Sequence, residues 1–274
     1  MPELPEVQTV INSIKKELIN SKIIRCELFW KNIIYNCNNN DFIQFIENKV
    51  INDIYRKGKY IIYELNQGFM VCHLRMTGTL FITKDKRNKN HIQACFTIKS
   101  SPNIYLSFKD IRKFGGFYYF EDIRNLYKKI GTDPFDKIFT ESWLLKNIKK
   151  QQRMIKHLLL DQKFICGLGN IYVDESLWSS MIHPETLSHN INRKKIKALY
   201  KSIRIILEDS IKHHGTTIKD FEFNQFDNMK TGTYKNRLKV YNRDKRKCKR
   251  CFNIIIKIRV ASRGTHICLS CQKK

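Results

Sequence analysis

Apolar positions along the 274-residue chain change their period as the sequence proceeds. Val7, Val10, Ile11, Ile14 and Leu18 recur at three- and four-residue spacing, with Lys15, Lys16 and Glu17 on the other side, which predicts one amphipathic helix packed on a core. From about Ser21 to Phe120 the pattern becomes short β-branched and aromatic runs: Lys22 to Trp30, Ile51 to Tyr55, Tyr60 to Leu65, Phe69 to Leu74, Thr79 to Thr83, Gln93 to Lys99, Ile104 to Phe108 and Gly116 to Phe120. Gly, Asn and Pro turn signals bound several of them. Runs of this number and spacing point to a β-sandwich, with Phe42 to Glu47 as a helical insert.

Gly131-Thr132-Asp133-Pro134 marks a joint. Beyond it the helical period returns over Thr140 to Lys149, Arg153 to Leu160, Gly169 to Ser180 and Arg193 to His213. A loop rich in Asn, Asp, Gly and Thr is expected from Gly215 to about Lys235, followed by a basic stretch that leads into clustered cysteines. The fold class expected is α+β, with a β-sandwich domain and attached helix over 1–133, a helical domain over 134–234 and a small cysteine hairpin over 235–274. The length suits two cores better than one.

Charge narrows the partner. Lys and Arg number 51 against 25 Asp and Glu, a formal net charge of +26, which suits a polyanionic partner, nucleic acid first and an anionic membrane second. No apolar run approaches the ~20 residues of a spanning helix and the start lacks a signal peptide's pattern, so a soluble, intracellular protein is expected. Five of the nine cysteines, Cys26, Cys37, Cys72, Cys95 and Cys166, share no spacing and are expected to be buried thiols.

The other four form Cys248-Lys-Arg-Cys251 and Cys268-Leu-Ser-Cys271, separated by sixteen residues that include the strand-like run Ile254 to Val260 and a turn at Ser262-Arg263-Gly264. Two such pairs at the ends of a hairpin can place four thiolates in a tetrahedron, the arrangement a structural Zn²⁺ requires, with no position left open for catalysis. Lys235, Arg237, Lys239, Arg243, Lys245, Arg246, Lys247, Lys249 and Arg250 surround it, opposed only by Asp244. Such density suits phosphate binding, or else a solvated charged face.

Three further segments carry chemistry. If Met1 is trimmed, Pro2 becomes a secondary amine beside Glu3; an α-amino group titrates below a lysine side chain and can attack an aldehydic carbon. Gly167-Leu168-Gly169-Asn170 precedes a helix start and is either a phosphate-binding turn or a plain helix corner. His73-Leu74-Arg75-Met76-Thr77-Gly78 and Asp110-Ile111-Arg112-Lys113-Phe114-Gly115 each end a β-run with a bulky tip beside glycine. They are either wedges for a base stack or core filling, and periodicity does not separate the two.

Taken together, Pro2-Glu3-Leu4-Pro5-Glu6-Val7, Lys57-Gly58-Lys59-Tyr60, His73 to Leu80, Arg112 to Gly115, Gly167 to Tyr172, Gly215-Thr216-Thr217 and the four-cysteine finger resemble the bacterial formamidopyrimidine-DNA glycosylases, bifunctional enzymes that excise oxidised purines and cleave the abasic site. The resemblance runs from Pro2 to Cys271. It implies an N-terminal β-sandwich with an attached helix, a helix-two-turn-helix domain and a zinc finger, with DNA in the cleft between domains. By position it implies Pro2 as the Schiff-base nucleophile, Glu3 as the acid/base for sugar-ring opening and Glu6 as a supporting carboxylate. Lys59 would serve β-elimination and Arg263 δ-elimination. It also implies His73, His91, Arg112, Asn170 and Lys156 as DNA-binding residues, and Met76, Arg112 and Phe114 as the residues that fill the hole left by the flipped base. Thr216, Thr217 and Lys219 would lie in the loop that closes over that base. One structural Zn²⁺ on Cys248, Cys251, Cys268 and Cys271, a double-stranded DNA partner carrying oxidised bases or abasic sites, a monomeric state and a bacterial cytoplasmic, nucleoid-associated location complete what it implies.

The chain departs from the family pattern at Gln8, Ile111, Lys113 and Gln151. Gln151 stands where the family commonly has a phosphate-binding Lys or Arg, and Arg153 or Lys156 are the substitutes available. The related endonuclease acting on oxidised pyrimidines is the nearest alternative, and Leu4 with the Met76, Arg112 and Phe114 set favours the purine enzyme. A non-catalytic zinc-finger lesion sensor is the alternative from another class, and the intact Pro2/Glu3 pair speaks against it.

Overall fold

The computed structural model describes residues 2–85, 90–216, 223–225, 228–230 and 232–274, with backbone alone for 223–225 and 228–230. Helix α1 (Leu4–Leu18) buries the expected stripe of Val7, Val10, Ile11, Ile14 and Leu18. Strand β1 (Ile23–Leu28), helix α2 (Asn39–Ile46) and strands β2 (Ile51–Lys57), β3 (Tyr60–Leu65), β4 (Phe69–His73), β5 (Thr79–Thr83), β6 (Ile92–Ile98), β7 (Ile104–Lys109) and β8 (Gly116–Phe120) follow, then the short α3 (Arg124–Tyr127). Asn38 starts α2 by accepting the Asp41 N–H, as an N-cap should.

The helical segment contains α4 (Glu141–Lys149), α5 (Ile155–Leu160), α6 (Asn170–Ser179) and α7 (Arg193–Lys212). Strands β9 (Phe223–Gln225) and β10 (Asn228–Lys230) come next, and the chain ends in the hairpin β11 (Ile256–Val260) and β12 (Arg263–Ile267).

Two sheets form the sandwich. One runs β1-β6-β7-β5-β9-β10 and the other β2-β3-β4-β8. Every pairing within them is antiparallel except that of β5 with β9. Phe117 of the smaller sheet meets Phe96 and Phe108 of the larger edge-to-face, at centroid distances of 5.2 Å each, so aromatic rings fill the space between the layers.

The loop expected from Gly215 to Lys235 is therefore corrected in part, because β9 pairs in parallel with β5 and β10 with β9. The chain divides into two compact units, 1–129 with 213–235, and 130–212 with 236–274. Residues 213–235 thus belong with the sandwich and not with the helices that precede them in sequence. Of the five scattered cysteines, Cys26, Cys72, Cys95 and Cys166 are buried, whereas Cys37 is only partly so.

Candidate active site and nucleic-acid interface

Pro2 precedes Glu3, the N-cap of α1, and both are buried, Glu3 to 2% exposure. Pro5 in the first turn costs nothing, since its missing N–H would have had no helical partner. Glu6 is 1% exposed and spends both carboxylate oxygens on backbone. Oε2 accepts the Glu3 N–H at 2.9 Å and Oε1 the Thr216 N–H at 2.7 Å. Gly215 makes this approach possible: its φ is +76°, and a Cβ there would stand 2.8 Å from Glu6 Oε1. Glu6 therefore registers the Pro2-Glu3 terminus against the start of the segment expected to close over a base. Thr217 and Lys219 lie outside the described residues.

Lys59 sits in the two-residue turn between β2 and β3, and Gly58 takes its φ of +57° there. Arg56 ties that turn to α1, donating from Nη1 to the Gly58 carbonyl at 3.1 Å and from Nε to Gln8 Oε1 at 3.3 Å. Gln8 thus accepts from Arg56 through a neutral amide.

His73 pairs with Tyr60 across β3 and β4 and packs edge-on against its ring. Burial, with Arg75 and Lys59 nearby, pushes its pKa down to about 3. Its Nδ1 accepts the Arg75 N–H at 3.0 Å, so the proton of the neutral ring is assigned to Nε2. A neutral donor in a basic neighbourhood suits a phosphate oxygen. His91 is exposed and left-handed, and its carbonyl accepts the Asp110 N–H.

Met76, Arg112 and Phe114 come together on the sandwich unit. Met76 is 39% and Phe114 52% exposed, so they do not fill the core. Arg112 Nη1 lies 3.6 Å from Met76 Sδ, and its guanidinium stands over the Phe114 ring at 5.6 Å.

In the second unit Asn170 opens α6 and donates from Nδ2 to the Gly264 carbonyl at 2.9 Å, while its buried Oδ1 has no hydrogen-bond partner. Gly264 follows Arg263, which is exposed. The hairpin turn is Ala261-Ser262 and Arg263 opens β12, a correction of one register to the expected Ser262-Arg263-Gly264 turn.

Lys156 is corrected outright as a DNA-binding residue. Its side chain is fully buried, with Nζ 2.5 Å from Asp174 Oδ1 and 2.8 Å from Thr265 Oγ1. Arg153, the other substitute for Gln151, pairs with Asp161 at 2.9 Å. Sequence reasoning also missed Asp174 and Glu175. Asp174 Oδ2 accepts the His266 N–H at 2.9 Å, and Glu175 accepts the N–H groups of Lys239, Val240 and Tyr241. Burial pushes the Glu175 pKa up against those three hydrogen bonds. The signal for both residues was two adjacent acids in a helix whose other positions are mostly buried.

The four cysteine sulfurs lie within 4.8 Å of one another, with Cys248 and Cys271 at 3.9 Å and Cys251 and Cys268 at 3.3 Å. A zinc-thiolate tetrahedron with Zn–S of about 2.3 Å has S···S edges of about 3.8 Å, so the residues fit a zinc ion. Trp178, Val240 and Ile255 pack around the buried members of this group.

A β-sandwich with an acid-flanked terminus and an exposed Met76-Arg112-Phe114 cluster, a helical segment and a four-cysteine hairpin make up a modular protein whose net charge of +26 suits a polyanionic partner. Family models match in three blocks: the formamidopyrimidine-DNA glycosylase N-terminal domain over 1–117, its H2TH domain over 130–222, and the zinc finger found in FPG and IleRS over 246–274. The formamidopyrimidine-DNA glycosylase of Protochlamydia amoebophila is 39% identical over 279 residues, all of both chains, and that of Mycoplasma genitalium is 36% identical, covering all of this chain and 96% of its own. Among solved structures, a Lactococcus lactis FPG mutant bound to Fapy-dG DNA superposes with a TM-score of 0.91 at 35% identity, covering all of both chains. The Lactococcus lactis enzyme non-covalently bound to AP-site DNA gives 0.89 at 35%, covering 99% of this chain and all of its own. The chain belongs to the formamidopyrimidine-DNA glycosylase family.

Proposed function

We propose that the protein is a base-excision-repair glycosylase that removes oxidised purines, 8-oxoguanine and formamidopyrimidines, from duplex DNA and then cleaves the abasic site as a lyase. The observation that carries this reading is the start of α1, where Glu6 binds both the Glu3 N–H and the Thr216 N–H beside Pro2. The pyrimidine-specific alternative gains no support, because the relatives and structures above all carry the formamidopyrimidine name.

A damaged base is out of reach inside the duplex, so it must be extruded, at a cost of a few kcal/mol that wedges and phosphate contacts offset. Met76, Arg112 and Phe114 take the vacated space. Pro2, freed of Met1, attacks C1′ with its nitrogen lone pair as the bond to the base breaks and the base leaves with a proton. Glu3 donates a proton to the ring oxygen, the sugar opens and the link becomes an iminium. The iminium acidifies the 2′ hydrogens; loss of one expels the 3′ phosphate, and a second elimination expels the 5′ phosphate. Lys59 serves the first elimination and Arg263 the second, and hydrolysis of the iminium regenerates the free secondary amine of Pro2.

His73, His91 and Asn170 bind DNA, and Thr216, Thr217 and Lys219 belong to the base-capping loop. Residues 1–129 with 213–235 carry the nucleophile, the wedges and the base-capping loop, and 130–212 with 236–274 carry the Asn170 turn and the cysteine hairpin. One Zn²⁺ held by Cys248, Cys251, Cys268 and Cys271 supplies rigidity to the hairpin that carries Arg263. The protein works as a monomer in the bacterial cytoplasm, at the nucleoid.

Borohydride trapping on a duplex with 8-oxoguanine opposite cytosine tests the assignment. A covalent adduct forms with the free terminus and not with an N-terminally extended form. Equal trapping by both removes Pro2 as the nucleophile. Glu3→Gln binds lesion DNA without cutting the glycosidic bond, and normal excision by that variant overturns the acid/base role.

A further inference from the structure

We propose that Asp110 and Thr77 are positioning residues that lock the two wedge loops into one body, so that Met76 and the Arg112/Phe114 pair enter the base stack together. The inference rests on the wedge assignment above and deepens it.

The loops are distant in sequence, 74–78 after β4 and 110–115 after β7. In each, the residue just before a wedge tip is left-handed without being glycine: Arg75 at φ 52° before Met76, and Lys113 at φ 56° before Phe114. L-residues disfavour that conformation, so neither tip is set by local preference and both need outside anchors.

Asp110 provides one for both loops at once. Its carboxylate is fully buried, and it is filled by loop donors. Oδ1 accepts the Thr77 hydroxyl from the first loop and the Arg112 N–H at 3.2 Å from the second; Oδ2 accepts the Gly115 N–H at 2.7 Å. The Thr77 oxygen also lies 3.2 Å from the Arg112 N–H, so it touches both partners of the joint. Gly115 permits the closeness, because a Cβ there would stand 2.7 Å from the Phe108 ring and 3.1 Å from Asp110 Oδ2. Tyr35 props the far side, its hydroxyl donating to the Phe114 carbonyl at 2.5 Å.

Hydrogen bonds to a buried carboxylate are among the stronger ones, and one unmade leaves a costly charge. Splitting the loops therefore penalises the state in which both tips must be inserted. That state matters most when a stacked base has to be displaced. A preformed abasic site has no base to unstack, so its cleavage depends far less on the wedge.

The experiment compares single-turnover excision of 8-oxoguanine with cleavage of an abasic site preformed in the same duplex, for the full-length zinc-loaded protein. Thr77→Val keeps the shape and removes the hydroxyl. It lowers base excision by about tenfold, the loss expected for one hydrogen bond to a charged group, and leaves abasic cleavage within about twofold. Thr77→Ser restores excision. In a Phe114→Ala background, Thr77→Val costs nothing further, because the body it completes is already broken. Wild-type excision by Thr77→Val, or equal loss of both activities, overturns the inference. If Phe114→Ala itself leaves excision untouched, the wedge assignment fails and takes the inference with it.

Discussion

A lysine read from sequence suggests a cation for solvent or phosphate, and Lys156 is neither. It lies among Ile155, Leu158 and Leu159 on a helix whose apolar face was legible, but nothing in that pattern reveals that Asp174, eighteen residues on, stands opposite it. Breaking a buried pair by removing one partner costs about 3–5 kcal/mol. Lys156→Met should lower stability by about that amount in urea unfolding, and Asp174→Asn added to it should recover part. The salt dependence of DNA binding should not change, whereas loss of a phosphate-binding lysine would shrink the slope by about 1. His73 makes a second test at this scale. With a pKa near 3 it stays neutral across the physiological range, and its imidazole NMR shifts should show no titration between about pH 5.5 and 8. Because the folded pKa lies below the unfolded value of about 6.5, the unfolded chain binds the extra proton. The stability linked to His73 is full above that value and is lost as pH falls from it toward 3. The four clustered cysteines were legible from their spacing, whereas Pro2 and Glu3 stood out only as an amine beside an acid at the start of the sequence and took their expected roles from the resemblance. Asp110, Thr77 and Glu6's hold on Thr216 were not, since hydrogen bonds between distant loops leave no periodic trace.

At the scale of elements, the early strands were visible because β-branched and aromatic runs stand between turn residues, and Tyr60–Leu65, Thr79–Thr83 and Gly116–Phe120 fall where the pattern put them. β9 and β10 were hidden in Phe221 to Lys230, where Asn, Gln and Asp interrupt the apolar positions, and pairing makes the strands, β9 with β5 and β10 with β9. Helix α6 matters more than its ten residues suggest. Asn170, Asp174 and Glu175 hold Gly264, His266 and the 239–241 backbone, so one helix positions strand β12 and the segment that leads into the first cysteine pair. At its other end Arg250 stacks on Trp178 at 4.1 Å and donates to the Trp178 carbonyl at 3.1 Å. Trp178 packs against Cys248 and Cys268, which makes it a reporter for the metal. Chelation should shift tryptophan emission, and Trp178→Phe should abolish that shift although Trp30 and Trp143 remain. Cys251→Ser should lose zinc and weaken DNA binding together; binding that survives metal loss would remove the finger as an anchor.

For the whole molecule, charge dominates. A formal net charge of +26 predicts binding driven by counterion release, and with six or more phosphate contacts the affinity should fall by about a thousandfold or more between 50 and 200 mM salt. A fluorescence titration series reads this directly, and a flat profile would point to few phosphate contacts. Among the described residues no helix is long and apolar enough to cross a membrane. The larger architecture was legible as sandwich, helices and finger because each has its own period. The return of residues 213–235 to the first unit was not, since it depends on where a polar segment finds a strand to join.

That return has a consequence for the order in which the protein is made. When the ribosome has released the first 129 residues, the sandwich still lacks β9, and Glu6 has no Thr216 amide to hold. β5 is then an open edge, the kind of surface that recruits foreign strands. The nascent chain must carry this unfinished sheet through synthesis of four helices before the missing piece emerges. Completion of the Pro2-Glu3 terminus is thereby timed late in translation.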